Sequence, residues 1–120
     1  MLSQLAIKND GSLWLWGINK YGTLGDGTNM NNLMPKKIMD NVSTVTAGFS
    51  HTAAVKKDGT LWAWGNNHYG QRGDESIYIK YTPLKIMDDA IAVSAGAEHT
   101  AALKKDGTLW TWGLNICGQI

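Results

Sequence analysis

The chain has 120 residues, of which 43% are hydrophobic, and its formal net charge is +1. This balance lacks the excess of Lys and Arg that binding to nucleic acid requires, so we expect no nucleic-acid partner. No apolar run approaches the ~20 residues of a membrane-spanning helix, and the first residues do not resemble a signal peptide. Cys117 is the only cysteine, which excludes an internal disulfide and gives no information on the compartment.

One phrase occurs three times in the sequence. It begins at Ala6, Ala54 and Ala102, so each copy starts 48 residues after the previous one. A period of about 20–50 residues is typical of repeat proteins, in which each unit buries its apolar face against its neighbours. On this period we divide the chain into a partial repeat (1–33), a full repeat (34–81) and a second partial repeat (82–120).

Read in chain order, the sequence predicts short strands and almost no helix. Each Asp-Gly pair predicts a β-hairpin with a tight primed turn, because such a turn requires positive φ angles and the flanking residues alternate in polarity. No stretch shows a sustained 3.6-residue period. The predicted elements are a hairpin at Asp10-Gly11, strands at 35–39 and 43–47, a hairpin at Asp58-Gly59, strands at 83–87 and 91–95, and a hairpin at Asp106-Gly107.

Four strands in roughly 40–50 residues are typical of one blade of a β-propeller. We therefore predict an all-β fold, a partial propeller of four-stranded blades. All six tryptophans lie in Trp-x-Trp-Gly pairs, and each side chain buries roughly 150–250 Å². We interpret them as packing between blades rather than as a platform for a ligand. The pairs are Trp14/Trp16, Trp62/Trp64 and Trp110/Trp112.

The combined motif resembles the repeat of the regulator of chromosome condensation (RCC1) family over nearly the whole chain. That family folds as a seven-bladed propeller, so the resemblance implies an incomplete ring whose remaining repeats are missing from this chain. We expect a fragment of a larger protein; the alternative is a short chain that completes a ring by oligomerising. The residues that carry the resemblance are Ala95-Gly96, His99 to Leu103, Asp106-Gly107, Leu109, Thr111 to Gly113, Asn115 and Gly118-Gln119.

Two sets of polar residues were weighed as chemical sites. His51 and His99 are equivalent in the repeat, but no carboxylate accompanies them and Ser3 replaces them in the first copy. We therefore expect buried histidines held by backbone groups. Asp26, Thr28 and Asn29 offer oxygen ligands for calcium, yet the second copy does not preserve their pattern. The sequence thus predicts no catalytic residue, no metal and no cofactor.

The segment after the glycine-rich turn differs between repeats. It is polar in residues 28–34, whereas residues 76–82 contain two tyrosines outside the repeat motif. Loops on a rigid scaffold usually select the partner, and exposed tyrosines are favoured anchors. We predict that Tyr78, Lys80 and Tyr81 bind a protein partner. The alternative is that a tyrosine packs on the rim of the blade.

Three classes of function follow from these observations. We expect a non-catalytic scaffold for protein–protein interaction. The resemblance implies an alternative, guanine-nucleotide exchange on a small GTPase by the full-length parent, because that is the activity of the family's namesake. An enzyme ranks last, since no nucleophile–base pair, carboxylate pair or metal cluster is visible.

Overall fold

The computed structural model describes residues 3–67, 71–73 and 79–113, and within them all regular structure is β-strand. None of these residues lies in a helix long and apolar enough to cross a membrane. The strands of the described part are β1 (Gln4–Ile7), β2 (Leu13–Gly17), β3 (Asn32–Met39), β4 (Val42–Ala47), β5 (His51–Lys56), β6 (Leu61–Gly65), β7 (Lys80–Met87), β8 (Ala90–Ala95), β9 (His99–Lys104) and β10 (Leu109–Gly113).

The strands form three antiparallel sheets. The middle sheet has the order β4-β5-β6-β7, which is the four-stranded blade that the sequence predicts. Within the described residues, the sheets on either side have three strands each, β1-β2-β3 and β8-β9-β10. We call the three sheets blades 1, 2 and 3. The prediction of an all-β fold made of repeated blades is confirmed.

Two strands begin earlier than the sequence suggests. β3 starts at Asn32 and β7 at Lys80, where each pairs with the glycine that ends the neighbouring strand, Gly17 or Gly65. Both strands lie at a sheet edge, where a proline is tolerated because its nitrogen has no partner strand to bond. Pro35 therefore lies inside β3 rather than at its beginning.

The hairpin turns differ from the predicted primed type. Gly59 has φ of +87°, but Asp58 is not among the residues with positive φ. The N–H of Gly59 donates to the Lys56 carbonyl, and the N–H of Lys56 donates to the Thr60 carbonyl. The connection therefore has three residues and ends on a left-handed glycine, a common alternative to the two-residue turn. The other two Asp-Gly turns also have positive φ at the glycine only.

Each blade presents two different faces to its neighbours. One face, here called the Leu face, carries the leucine positions of the Leu-Trp-x-Trp-Gly strand; the other, the Trp face, carries both tryptophans. The Leu face of blade 1 packs against the Trp face of blade 2. The Leu face of blade 2 in turn packs against Trp112 of blade 3. The Leu faces are Leu13/Leu15, Leu61/Ala63 and Leu109/Thr111, and the Trp faces are Trp14/Trp16, Trp62/Trp64 and Trp110/Trp112.

The two tryptophans of a pair are not equally buried. Trp64 is fully buried between blades 1 and 2, as predicted. Trp62 is only partly buried, because it lies nearer the hairpin end of the blade, where its indole nitrogen bonds to Thr60. Both tryptophans of the middle blade thus pack between blades as predicted, Trp64 completely and Trp62 in part.

Candidate protein-interaction surface

At each interface between neighbouring blades, one backbone carbonyl accepts two hydrogen bonds from the next blade. The Thr23 carbonyl accepts hydrogen bonds from the Thr52 hydroxyl and from the Trp64 indole N–H, both at 2.8 Å. One repeat later, the Gln71 carbonyl accepts the equivalent bonds from Thr100 at 2.5 Å and Trp112 at 2.9 Å. We call this arrangement the carbonyl clasp. It couples a loop of one blade to two strands of the next.

Two glycines of the turn after the Trp-x-Trp-Gly strand, Gly25 and its repeat equivalent Gly73, leave the room that the clasp needs. Gly25 has φ of +72°, and a Cβ at this position would lie 2.7 Å from Nε1 of Trp64. Gly73 stands in the same relation to Trp112, at 2.8 Å. A side chain at either position would displace the indole. The clasp therefore requires glycine at both positions.

One asparagine holds the loop that follows. The side chain of Asn19 accepts from the backbone N–H of Leu24 at 2.9 Å and donates to the carbonyls of Thr28 and Met30 at 2.8 and 2.9 Å. Asp26 accepts from the backbone and hydroxyl of Thr28. The Asp26 and Thr28 oxygens, two of the three weighed as calcium ligands, are thus engaged in local bonds. Among the described residues, no group of three or more His, Cys, Asp or Glu could hold a metal ion.

His51 forms a second link between blades 2 and 3. It is fully buried, and its Nε2 lies 2.8 Å from the Thr100 hydroxyl oxygen. Since the single hydroxyl proton of Thr100 goes to the Gln71 carbonyl, His51 must donate through Nε2. Its Nδ1 then carries a lone pair, and that atom has no hydrogen-bond partner among the described residues. The expected burial is confirmed for His51, whereas His99 is only partly buried. A side chain rather than the backbone holds the His51 ring.

Burial and the nearby charge of His99 lower the pKa of His51 from 6.5 to about 4. The physical cause is that an imidazolium at this site would lose its hydration. Its Nε2 would remain a donor, but the new N–H at Nδ1 would face no acceptor among the described residues. The ring is therefore neutral near pH 7, and its role is structural.

The hairpin turn of each repeat contains a chain of hydrogen bonds that ends on an aspartate. The Trp62 indole donates to the Thr60 hydroxyl at 2.8 Å, and that hydroxyl donates to Asp58 at 2.6 Å. The hydroxyl and backbone bonds from Thr60 hold the pKa of Asp58 below its ordinary value. Lys56 lies over the Trp62 ring, with Nζ 5.3 Å from the ring centre. Blades 1 and 3 contain the same arrangement.

We expect Thr60→Val to lower the free energy of unfolding by about 1–2 kcal/mol, because it removes the hydroxyl that accepts from Trp62 and donates to Asp58. Chemical denaturation of purified protein measures this change. The control is Thr82→Val, at an exposed position, which should change stability by less than about 0.5 kcal/mol. Equal effects of the two substitutions would contradict the role of the bond chain.

The structure places two of the three predicted partner-binding residues; Tyr78 lies outside the described residues. Lys80 and Tyr81 begin β7, at the outer edge of blade 2. The Tyr81 ring covers Gly22, where a Cβ would lie 2.5 Å from its Cδ1, and the Tyr81 carbonyl accepts the N–H of Gly27 at 2.8 Å. Tyr81 nevertheless keeps 37% of its surface exposed. Tyr81 therefore packs against Gly22 at the rim of the blade and also exposes part of its side chain to solvent.

Three exposed apolar side chains in the first repeat were not predicted from the sequence. Met30, Leu33 and Met34 are 70%, 83% and 73% exposed, although the sequence suggested a merely polar segment. The sequence could have indicated them, because the 48-residue period aligns Leu33 with Tyr81, which was predicted to bind a partner. Exposed apolar side chains that form a patch are typical of interaction surfaces. We call residues 30–34 together with residues 80–82 the variable rim.

The repeated blades and their clasps define a partial β-propeller. The sequence profile described as "Regulator of chromosome condensation (RCC1) repeat" matches residues 10–55 and 58–103. A second profile of the same repeat matches residues 42–71 and 90–119. The chain belongs to the RCC1 repeat family. No curated protein matches the sequence.

Solved propellers of the family superpose well on the chain. Human WBSCR16 matches with a TM-score of 0.83 at 23% identity, over 94% of this chain and 31% of its own. Prp20p from Saccharomyces cerevisiae matches with a TM-score of 0.81 at 23% identity, over 93% of this chain and 31% of its own. The chain thus spans about a third of the length of these structures. At this identity the likeness establishes the fold.

Proposed function

We propose that this chain is part of a non-catalytic scaffold for protein–protein interaction, and that its variable rim contacts the partner. The observation that carries the proposal is the exposure of Met30, Leu33 and Met34, between 70% and 83%, on a surface that does not repeat. Exposed apolar side chains cost solubility, so a group of them on a rigid frame indicates a surface that a partner covers.

The scaffold beneath the rim is well suited to hold such a surface in place. Asn19 fixes the loop before Met30, and the N–H of Gly27 bonds to the Tyr81 carbonyl of the next blade. These contacts join the rim segments of blades 1 and 2. A preorganised surface loses less conformational entropy on binding, which favours affinity. Lys80 adds a positive charge that would favour an acidic group on the partner.

The polar residues of the described part support a binding role over an enzymatic one. The Thr52, Thr60 and Thr100 hydroxyls form bonds within or between blades. His51 is buried and neutral near pH 7, which removes it as a general base at the surface. A catalytic site needs such groups convergent in an accessible cleft. We therefore propose a protein without catalysis of its own.

Relatives with solved structures are described with protein partners. Yeast RCC1 (Prp20) has been crystallised bound to Kap60, in a structure whose TM-score with this chain is 0.81 at 23% identity. Prp20p is also described by its binding properties to Gsp1p and histones. The partners of these similar proteins and the exposed variable rim together support a protein partner for the present chain.

The scaffold proposal predicts that Leu33→Ala and Tyr81→Ala each weaken partner binding by about 2 kcal/mol, roughly 30-fold. The matched control is Ile91→Ala, because Ile91 is 51% exposed but lies on β8, outside the variable rim. Isothermal titration of the purified partner against each variant measures affinity, and thermal melting measures stability. Loss of stability without loss of affinity would show that these side chains only pack on the rim.

Guanine-nucleotide exchange on a small GTPase is the second candidate, and family membership supports it. It predicts that the full-length parent accelerates nucleotide release from at least one member of a panel of small GTPases. Fluorescent-nucleotide release assays test this directly. Unchanged release from every member, together with binding of another protein at the rim, would favour the scaffold.

A further inference from the structure

We propose that the variable rim carries a reversible oxidation switch: a peroxide converts Met30 and Met34 to methionine sulfoxide, and the rim then releases its partner. The release rests on the proposed function of the rim, whereas the oxidation itself does not. Both side chains are largely exposed, at 70% and 73%. Exposed methionine is typical of adaptable binding surfaces, and its sulfoxide is polar, so oxidation weakens apolar contacts at such a surface.

The repeat separates the methionines of the described residues into two classes. Met39 and Met87 are equivalent in the 48-residue period, and each is partly buried against one of the two core clusters. Met30 and Met34 do not follow the repeat, since the second copy has a tyrosine and a threonine at their positions. The first pair therefore contributes to packing, and the second pair offers its sulfur atoms to solvent.

The exposure of the second pair is a property of the rim itself. Met34 is aligned with Thr82 of blade 2, which has blade 1 in front of it and is exposed all the same. Met30 lies in the loop between β2 and β3, and that loop packs against the following blade, where the N–H of Gly27 bonds to the Tyr81 carbonyl. Both exposures are therefore independent of any blade that precedes blade 1.

Backbone hydrogen bonds hold this segment without help from the thioether groups. The N–H of Met30 donates to the Thr28 hydroxyl oxygen at 3.3 Å, and its carbonyl accepts from the Asn19 side chain at 2.9 Å. The N–H of Met34 donates to the Asn32 side chain at 3.1 Å. None of these bonds uses a sulfur atom. Oxidation therefore changes the surface and leaves the bonds of the segment in place.

The oxidation needs only hydrogen peroxide and the thioether. The sulfur attacks one peroxide oxygen, so that an S–O bond forms and the O–O bond breaks; the hydroxide that leaves takes the proton of the new S–OH group and becomes water. Sulfur loses two electrons and the peroxide gains them. A thiol-dependent reductase reverses the change, with formation of a disulfide and water. The S=O group requires hydrogen bonds that an apolar partner surface does not supply.

Peptide mass spectrometry of the 120-residue chain after timed exposure to hydrogen peroxide tests the site. Met30 and Met34 should gain oxygen roughly fivefold faster than Met39 and Met87, because they are more exposed. A sample in which only the first pair is oxidised should unfold at the same urea concentration as the untreated chain. Equal rates for the two pairs, or a lower urea midpoint in that sample, would overturn the proposal.

The dye anilinonaphthalene sulfonate, which binds exposed apolar surface, reports the polarity of the rim. Peroxide should lower its binding to the unmodified chain about twofold, and a methionine sulfoxide reductase with a thiol should restore it. The matched control is the double variant Met30→Leu/Met34→Leu, which keeps the rim apolar and cannot be oxidised there. Its dye binding should not respond to peroxide. An equal loss in both proteins would show that the change lies outside the rim.

Titration with the purified partner tests the release. The oxidised chain should bind about tenfold more weakly than the reduced chain, while the double leucine variant should bind equally well before and after peroxide. If oxidation leaves the affinity unchanged although Leu33→Ala still lowers it, the switch is wrong and the proposed function stands. If Leu33→Ala has no effect on affinity, the proposed function and the release both fail, and only the selective oxidation remains.

Discussion

Trp64→Ala should lower the free energy of unfolding by about 3–5 kcal/mol, the cost of removing a large buried aromatic side chain. Trp64 has 0% exposure and packs with Leu13 and Leu15 of the neighbouring blade. Its indole also donates to the Thr23 carbonyl. The substitution therefore leaves a cavity between two blades and removes one of the two bonds to the clasp carbonyl.

Urea denaturation followed by circular dichroism measures the change. The matched control is Trp110→Ala in blade 3, because Trp110 is 49% exposed and should contribute much less. Trp64→Phe should fall between the two, since it keeps most of the packing and loses the indole bond. If Trp64→Ala unfolds at the same urea concentration as the unmodified chain, the packing between blades does not stabilise the protein.

Acidification should destabilise the protein between pH 6.5 and about 4 because of His51. Its pKa is 6.5 in the unfolded reference and about 4 in the folded chain. A group that is held neutral in the folded state contributes its full stability above pH 6.5. This contribution is lost as the pH falls towards 4, because the unfolded chain binds the proton first. Each pKa unit corresponds to about 1.4 kcal/mol, so about 3 kcal/mol is lost by pH 4.

His51→Gln separates this effect from that of the aspartates. Glutamine does not titrate, and its amide can donate to the Thr100 hydroxyl in place of Nε2. The pH dependence of unfolding between 4 and 6.5 should therefore be smaller in the variant. The aspartates act mainly below about pH 4, since the pKa of Asp58 is lowered from 3.8 by its bonds to Thr60. Identical slopes for the two proteins would show that His51 is not held neutral.

The repeat explains why so much of the fold could be predicted from sequence. A phrase that returns every 48 residues identifies equivalent positions, and the alternation of leucine and tryptophan assigns them to opposite faces of one strand. Trp64 and Leu61 were therefore predictable as packing residues without coordinates.

Local side-chain bonds explain what was predicted incorrectly. The Asp-Gly pair suggested a two-residue primed turn, but Asp58 bonds to the backbone and hydroxyl of Thr60 and adopts no positive φ. Aspartate side chains often compete in this way with the backbone. Composition alone does not reveal which of the two arrangements the chain adopts. The polar character assigned to residues 28–34 concealed Leu33, because it described the segment by its polar majority.

The sequence by itself determined the period, the strands, the two faces of each blade and membership of a repeat architecture. Only the tertiary structure decided how much each equivalent residue is buried. Leu61 and Leu109 occupy the same place in the same motif, yet one is 0% and the other 68% exposed. The physical reason is that burial depends on the surface placed opposite, which belongs to another blade. The link from His51 to Thr100, 49 residues away, likewise exists only once two blades are packed together.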